Sequence, residues 1–461
     1  MSRRWWLAAG AAIAVLGGPA LPALADDTNY QNLLLGEKAA GMGGAYTAIA
    51  DDPSATYYNP AGLVETEAST LSASLSFYGF QQGSLQQALT PPPGASFTGS
   101  ISHGVGAAFS QMTTVPGLAG SVNGIGPKDS KGRYREAWGL AVMMLDDQSS
   151  SFSQAAIGAN ALQDLSQTTL DQTALIGLGY ARRMTDELDL GLSVDAIYRT
   201  VNRASRTISG SAVSSQGVAA SYFLDETSLQ MAVAGLFAEA GALWKFAPDF
   251  TLGLSLASPS VTVFGTGSSD EVQGFSAAGT GAGLTDTPIN GLAANTLLPV
   301  HGRAGLAWRA APRTLFDLDV SGWGPIAYDL IEGPLPAGVQ YPNFVRSVQR
   351  LPVVNLDLGG RWLFADKYPV RGGLFTNRSS APKIDDGPEP QLPDIDVYGV
   401  TAGITLPAEH TETTIGFVYS FGQGMTKVPT GGATQATGVT FVPTPTSEGF
   451  LDIYLAGSYE F

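Results

Sequence analysis

The chain has 461 residues with 40 acidic and 24 basic side chains, a formal net charge of −16 and no cysteine. Nucleic-acid-binding proteins need clustered positive charge, so the acidic balance argues against that class. The lack of cysteine excludes a disulfide scaffold, a cysteine-ligated zinc site and a cysteine nucleophile. A hydrophobic content of 44% excludes an acidic disordered chain.

The first 25 residues have the pattern of a secretory signal peptide. Arg3 and Arg4 precede an apolar segment at 5–18, and the sequence Ala-Leu-Ala at 23–25 matches the small-x-small cleavage pattern. We expect cleavage after Ala25. The alternative, a membrane anchor, is disfavoured by two prolines within the segment. No later stretch reaches 18 uninterrupted apolar residues, which argues against a membrane protein built of helices.

From residue 69 onward the hydrophobicity alternates with period two. In segment 188–199, for example, leucines at 188, 190 and 192 share one face, and Asp189, Ser193 and Asp195 share the other. Fourteen such segments have about the ten residues that a tilted strand needs to cross a bilayer. The candidate strands are 69–80, 101–111, 136–145, 172–183, 186–201, 231–246, 249–258, 300–309, 313–322, 351–363, 367–377, 396–406, 411–421 and 451–461.

A soluble β-sandwich would alternate in the same way, but the connections favour a membrane barrel. From the fourth strand onward short and long links alternate, as short periplasmic turns and long external loops do in outer-membrane barrels. One link, 112–135, is too long for this rule. Aromatic residues also recur where strands reach the short turns, as at a lipid headgroup boundary. The prediction is all-β: a 14-stranded antiparallel transmembrane β-barrel at 69–461, in the outer membrane.

Residues 26–68 lack the alternation and contain glycines and an Asn-Pro turn sequence. We expect this segment to fold as a compact hatch that plugs the lumen. The motif at its end is Asn59, Pro60, Ala61 and Gly62, whose Pro60 fixes its own φ and restricts Asn59. This favours a rigid anchor for the hatch, with a solvent-exposed turn as the alternative.

The stretch GEKAAGMGGAYTAIADDPSATYYNPAGL, residues 36–63, resembles the hatch of the FadL family of outer-membrane transporters for long-chain fatty acids and aromatic hydrocarbons. A second stretch at 368–406 and the terminal strand agree with this resemblance. The resemblance implies uptake by diffusion: outer loops capture a hydrophobic compound, which passes to a pocket at the hatch and leaves through a gap in the wall. It also implies that Tyr459 and Phe461 form the signal read by the barrel insertion machinery.

Two sets of side chains are candidates for substrate binding. An arginine binds a carboxylate through two hydrogen bonds, so an inward arginine could hold a substrate carboxylate, although pairing with an acid in the lumen is the alternative. The long links are unusually apolar, which indicates capture of a hydrophobic compound, or loops that pack on each other. The arginine candidates are Arg199, Arg303, Arg361 and Arg371, and the apolar candidates are Phe264, Phe275, Leu297, Trp323, Tyr328 and Phe344.

No catalytic motif is present: the sequence has three histidines, no HExxH and no GxSxG. We therefore expect no enzyme activity, no metal and no cofactor. The expected partners are outer-membrane lipid, a hydrophobic small-molecule substrate and the barrel insertion machinery, and the expected state is a monomer. Two other functions stay open: a general porin for polar solutes, and a structural or secretion-associated barrel of the same fold.

Overall fold

The computed structural model describes residues 28–66, 69–85, 108–113, 116–157, 161–211, 221–277, 281–332, 345–430 and 440–461. Three parts of the sequence predictions lie outside these residues: the signal peptide, Phe344 and the first part of the predicted second strand, 101–107.

Fourteen antiparallel strands form the wall, and β14 pairs with β1 through a register that includes Leu71 and Tyr459, which closes the barrel. The predicted fold class and strand number are therefore confirmed. The strands are β1 Thr70–Leu85, β2 Ala108–Thr113 and Pro116–Ile125, β3 Glu136–Ile157, β4 Ala161–Arg183, β5 Leu188–Ser211, β6 Tyr222–Ala247, β7 Phe250–Ala257 and Val261–Ala277, β8 His301–Ala311, β9 Thr314–Trp323, β10 Val353–Phe364, β11 Tyr368–Asn377, β12 Asp394–Pro407, β13 Thr411–Thr430 and β14 Thr440–Glu460. Short strands in the external connections are Gly281–Asp286, Ile289–Ala294, Ile326–Asp329, Ile331–Glu332 and Ser347–Arg350.

The wall is apolar outside and polar inside. On β5, Leu192 is 64% exposed and Val194 is 57% exposed, whereas Ser193 and Asp195 between and beside them are buried. A soluble sandwich would show the opposite arrangement, with apolar side chains inside. The alternation is that of a barrel whose outer face meets lipid.

Several predicted loops are strands. Strands β3, β4, β5 and β6 contain 22, 23, 24 and 26 residues, about twice the length that spans a bilayer. Their extensions were predicted as loops because they are rich in serine and threonine and lack a lipid-facing apolar face, yet their backbones remain paired. Likewise, much of the predicted loop 259–299 belongs to β7, which includes Phe264 and Phe275.

The described part of the predicted second strand, 108–111, is a strand, but the strand continues beyond the predicted end into the predicted link. The link 112–135 contains the second segment of β2, Pro116–Ile125, which leaves a turn at 126–135. Three glycines and a proline give this segment a weak strand propensity. Gly120 is needed where the wall meets the hatch, because a Cβ there would lie 2.8 Å from the Pro53 Cβ.

The described part of the hatch, residues 28–66, packs inside the barrel as predicted. It contains helix α1 Glu37–Gly41, helix α2 Ala55–Tyr58 and a 3-10 helix, Pro60–Glu65. Tyr46, Leu63 and other hatch residues form one buried cluster with wall residues such as Leu175 and Phe237. Among the described residues, no helix is long and apolar enough to cross a membrane.

Exposed aromatic rings surround the turn end of the barrel. Trp244, Phe246, Phe250, Trp308 and Phe316 form a chain of neighbouring rings whose centroids are 5.6–6.2 Å apart. Such rings suit the boundary between headgroups and hydrocarbon. The same end of the barrel therefore carries the predicted aromatic residues of alternate strands.

The C-terminal Phe461 lies on this rim and closes the seam. Its side chain is 67% exposed and stacks on Tyr459, and its backbone N–H donates to the carbonyl oxygen of Ser69. We expect deletion of Phe461 to lower the amount of folded, heat-modifiable barrel in the membrane. The substitution Phe461→Tyr keeps an aromatic end and serves as the control. Normal accumulation of the deletion variant would contradict an assembly role.

Candidate functional site

Four cross-strand pairs of glycines form flat seats on the inner wall, and each seat receives a segment of the hatch. The seats are Gly139–Gly179 against Leu63, Gly191–Gly241 against Asn59 to Ala61, Gly253–Gly305 against Thr47 and Ala48, and Gly359–Gly373 against Met42 and Gly43. At Gly359, for example, a Cβ would lie 2.6 Å from the Met42 carbonyl oxygen. Any side chain at these positions would push the hatch away from the wall.

The Asn59 motif occupies one of these seats. The Asn59 side chain is fully buried; its Nδ2 donates to the carbonyl oxygens of Thr47 in the hatch, at 2.9 Å, and of Ala242 in β6, at 3.1 Å. Its Oδ1 accepts from the Ala61 N–H at 3.2 Å and caps the 3-10 helix that Pro60 begins. This geometry supports the anchor and not the solvent-exposed turn.

Charged groups of the wall hold the hatch backbone. Asp319 Oδ2 accepts the N–H groups of Tyr46 at 2.9 Å and Thr47 at 2.8 Å. Arg303 donates to the Tyr57 carbonyl oxygen at 2.7 Å, and its guanidinium lies 4.2 Å from the centroid of the Tyr57 ring. Each hydrogen bond to a charged group contributes about 1.5–3 kcal/mol.

The end of the hatch is fixed by an ion cluster at the turn end of the lumen. Glu65 accepts from Arg183 on β4 and from Lys245 on β6, the latter at 2.6 Å, and Arg183 also pairs with Asp189 on β5. Burial acts to raise the pKa of Glu65, but the ammonium of Lys245 and the guanidinium of Arg183 outweigh it and hold that pKa below its usual value. The carboxylate therefore stays charged and paired.

Glu37 begins helix α1 and is buried. One of its carboxyl oxygens has no hydrogen-bond partner. Burial, with a further contribution from the Asp52 carboxylate, raises the pKa of Glu37 to about 7. The Asp51 carboxylate, by contrast, pairs with Lys38 at 2.7 Å.

The described residues contain no group of three or more acidic, histidine or cysteine side chains arranged to hold a metal ion.

The four candidate arginines lie at separate places. Arg199 pairs with Asp171 through two hydrogen bonds of 2.8 and 2.7 Å. Arg303 holds Tyr57 and lies 3.6 Å from Glu239. Arg371 donates to Thr405 and packs beside Gly41 of α1, and Arg361 is half-buried on β10. The fold thus does not gather these residues into one carboxylate-binding site.

A cavity lies in the lumen at the start of the hatch, with an empty volume of about 660 Å³ that includes its open mouth. Its walls come from the hatch, from β3 and from β11 to β14. The lining residues are Asn29, Gln31, Asn32, Leu33, Asp146, Asp147, Gln148, Phe375, Asn377, Val397, Ser420, Glu448, Gly449 and Phe450. We call it the lumen cavity. Sequence reasoning missed it, because its residues come from six separate segments with no shared motif.

Among the described buried residues, twelve acidic side chains face six arginines and lysines. The acids are Glu37, Asp52, Asp171, Asp189, Asp195, Asp225, Glu239, Glu271, Asp317, Asp319, Asp357 and Asp452, and the bases are Arg183, Arg199, Arg303, Arg350, Arg371 and Lys427. The interior of the barrel is therefore predominantly acidic, in keeping with the overall charge.

External segments fold inward over the barrel and form an apolar roof. Its buried members are Val201, Leu229, Met231, Val233, Ala294, Leu330, Ile331, Val348 and Leu392, with Leu292, Tyr328 and Val345 packed against them. This roof joins inner-wall residues of β5 and β6 to the external connections. Its buried residues show that the external connections pack on each other and on the inner wall, and capture of a hydrophobic compound by these connections stays a prediction.

The described residues among the predicted capture residues lie at several separate places. Tyr328 packs against the roof, Phe275 packs against a pair of buried rings, and Leu297 is half-buried. Trp323 is buried in the lumen and stacks on the hatch residue Tyr30, with ring centroids 5.1 Å apart. Phe264 is 57% exposed on β7.

The first hatch residues are bound to the external connection 378–393. Ser380 donates to the Thr28 carbonyl oxygen through its N–H at 3.0 Å and its hydroxyl at 2.6 Å. Asn29 Nδ2 donates to the Asn377 carbonyl oxygen at 2.6 Å. The connection is itself held by Lys427, whose ammonium donates to Asp385 at 2.7 Å. The beginning of the hatch thus lies at the mouth of the barrel and its end at the turn side.

Among the described residues, the pairing between β2 and β3 ends beside the lumen cavity. Strand β3 pairs with β2 only as far as Met143, and the part from 144 to 157 pairs with β4 alone among the described residues. The first segment of β2, Ala108–Thr113, pairs with β1. We call this place the wall break. Strand β3 is irregular here, between Met144 and Asp146, and Asp146 lines the cavity.

No protein-family model and no curated protein matches the sequence. Solved structures match over almost the whole chain. A FadL homologue from Pseudomonas aeruginosa is 14% identical, covers 94% of this chain and 100% of its own, and has a TM-score of 0.59. The toluene transporter TodX from P. putida is 12% identical, covers 92% and 97%, and has a TM-score of 0.57. The toluene transporter TbuX from Ralstonia pickettii is 14% identical, covers 93% and 99%, and has a TM-score of 0.51.

These likenesses concern the fold. At the level of the fold, they confirm the resemblance to the FadL family that the hatch sequence indicates. The chain has the architecture of these barrels, with fourteen strands around an N-terminal hatch.

The glycine seats predict a sharp difference between two neighbouring residues of β11. A Cβ at Gly373 would overlap the backbone of Met42 and Gly43, whereas a Cβ at Gly372 would have the Thr401 carbonyl oxygen, at 3.6 Å, as its nearest contact. We expect Gly373→Ala to displace the hatch and increase leakage of a small polar dye from reconstituted vesicles. Gly372→Ala is the matched control and should behave like the parent. Equal leakage from the two variants would contradict the role of the seats.

Protonation of Glu37 should stabilise the hatch in acid. Its pKa in the folded chain is raised from 4.5 to about 7, so the folded chain binds the proton more tightly than the unfolded chain does. The resulting stabilisation is complete below about pH 4.5 and is lost as the pH rises through about 7. We expect hydrogen-exchange protection of residues 37–44, corrected for intrinsic exchange, to fall between pH 5 and pH 8. Glu37→Gln should remove this dependence, and the exposed-turn variant Glu187→Gln should keep it.

Proposed function

We propose that this protein is an outer-membrane channel that passes hydrophobic compounds by diffusion around a fixed hatch. The observation that carries the proposal is the combination of a filled lumen with a cavity that lies beside the wall break. A hydrophobic compound gains little from an aqueous pore, and a route that keeps it in contact with apolar surface or lipid is favourable. The solved structures of the same fold include barrels described as toluene transporters.

The proposed route has three stages. The apolar roof receives the compound at the mouth, the lumen cavity holds it above the hatch, and the wall break releases it sideways into the membrane. Leu33, Phe375 and Phe450 supply apolar contacts in the cavity. The position of the wall break favours this exit, because β3 contributes Asp146 to Gln148 to the cavity and has no β2 partner over these residues within the described part of the chain.

The other two functions receive less support. A general porin needs a continuous aqueous lumen, whereas here four glycine seats and several charged contacts hold the hatch across it. A structural or secretion-associated barrel would use its external connections as a docking surface, and the inward packing of the apolar roof favours substrate contact instead. We propose a monomer whose partners are outer-membrane lipid, the hydrophobic substrate and the insertion machinery, and which needs no cofactor and catalyses no reaction.

Reconstitution tests the proposal. In vesicles with a lipopolysaccharide outer leaflet, we expect the parent protein to speed entry of a labelled hydrophobic compound, to leak little polar dye and to show little steady conductance. The double variant Asn59→Ala with Pro60→Gly should assemble normally, change hydrophobic uptake and raise dye leakage. The control Asn123→Ala removes an amide that donates to Ser121 on its own strand. A large steady conductance in the parent would support a porin and overturn the proposal.

A further inference from the structure

The described lining of the lumen cavity presents negatively charged hydrogen-bond acceptors. It contains the carboxylates of Asp146, Asp147 and Glu448, and no described lining residue is a lysine or arginine. All three carboxylates are half-buried, so they reach the cavity while partly removed from solvent. A second cavity beside the extended strands β5 and β6 is lined by residues such as Met231 and Asn290, and none of its described lining residues is charged.

The neighbouring groups leave acceptor capacity in this lining. Asp146 Oδ1 accepts from Asn32 at 3.3 Å, and Asp147 Oδ1 accepts from Gln172 at 2.9 Å. A carboxylate has about four acceptor positions, so the bond from the Gln172 amide does not saturate Asp147. The Asp147 carboxylate can therefore accept further hydrogen bonds from a ligand.

A separate observation comes from Gln31, a hatch residue in the same lining. Its side-chain nitrogen donates to Ser321 at 3.4 Å and to Asp357 at 3.1 Å. Its side-chain oxygen has no hydrogen-bond partner among the described residues, although the residue is only 6% exposed. A buried acceptor without a partner is unfavourable, and a donor on a bound ligand would satisfy it.

The arginines that could hold a carboxylate lie elsewhere. Arg199 is neutralised by Asp171, and Arg303 holds the backbone of the hatch beneath the cavity. A substrate carboxylate in the cavity would have to lose water beside three like charges, in a described lining that holds no lysine or arginine, which is unfavourable in a partly buried site.

We propose that the lumen cavity selects hydrophobic compounds whose polar head donates hydrogen bonds and carries no negative charge, with a protonated amine as the best match. This rests on the proposed function and names the substrate class of the same site. The ammonium group interacts with Asp146, Glu448 and the Gln31 oxygen, and Phe375 and Phe450 contact the apolar tail and offer ring faces to the cation.

Three compounds of equal chain length test the proposal: decylamine, decanol and decanoate at pH 7. Binding to the full-length barrel in lipid nanodiscs is measured by calorimetry, with empty nanodiscs subtracted. We expect decylamine to bind at least about tenfold more tightly than decanoate, with decanol between them, since hydrogen bonds to charged groups are stronger than those between neutral groups. Decanoate binding as tightly as decylamine would overturn the proposal.

Variants locate the effect in the cavity. Glu448→Gln and Asp146→Asn should each reduce the preference for decylamine over decanoate severalfold, and Gln31→Met should weaken both decylamine and decanol. Glu332→Gln, on an exposed external strand, is the control and should leave the preference unchanged. Heat-modifiability shows that each variant is folded. An unchanged preference in the folded Glu448→Gln and Asp146→Asn variants would place the selectivity outside the cavity and contradict the proposal.

Uptake separates this proposal from the function on which it rests. If none of the three compounds enters lipopolysaccharide vesicles faster with the protein than without it, the channel function itself fails. If decanoate enters fastest, the channel function stands and only the inferred substrate class is wrong.

Discussion

The structure depends on close contact between the backbone of the hatch and the backbone of the wall. Such contact is possible only where the inner wall carries no side chain, and the paired glycines of adjacent strands provide this at four places. Three of the pairs receive hatch backbone, at residues 42–43, 47–48 and 59–61, and the fourth receives the Leu63 side chain. The high glycine content of the chain is in part a consequence of this fit, because a Cβ at any seat would occupy the space of the hatch.

Charged side chains of the wall also hold the hatch in place. A hatch held close to the wall buries N–H and carbonyl groups, and each of these needs a partner. Asp319 accepts two hatch N–H groups, and Arg303 donates to a hatch carbonyl oxygen. Of the arginines that were candidates for substrate binding, Arg303 therefore holds the hatch, and Arg199 pairs with Asp171 in the lumen. The described lining of the cavity above the hatch is left with acceptors and contains no lysine or arginine.

The sequence predicted the barrel and the hatch well because both have local signals. Period-two alternation identified strands such as β5 and β9, and the glycine-rich stretch before them identified the hatch. The second strand was predicted to end too early because Pro116–Ile125 has little alternation and owes its place to Gly120 beside the hatch. The sequence does contain a signal for the glycine seats. Gly191 lies on the same inward face of β5 as Asp189 and Ser193, and most side chains on that face are polar. The lumen cavity had none, since Gln31, Asp146 and Glu448 meet only after the barrel closes.

The way in which the hatch is fixed also bears on the route through the barrel. Its end is clamped by Glu65, its middle rests on the seats, and its beginning is bonded to Asn377 and Ser380 near the mouth. Moving the whole hatch aside would break the hydrogen bonds of Asn59 and Asp319. It would also break the ion pairs of Glu65 with Arg183 and Lys245. At about 1–3 kcal/mol for each group left without a partner, this amounts to roughly 10 kcal/mol or more. The proposed passage from the cavity through the wall break disturbs none of these contacts, since no described residue of β2 pairs with β3 there. A fixed hatch and a sideways route are therefore two consequences of the same packing.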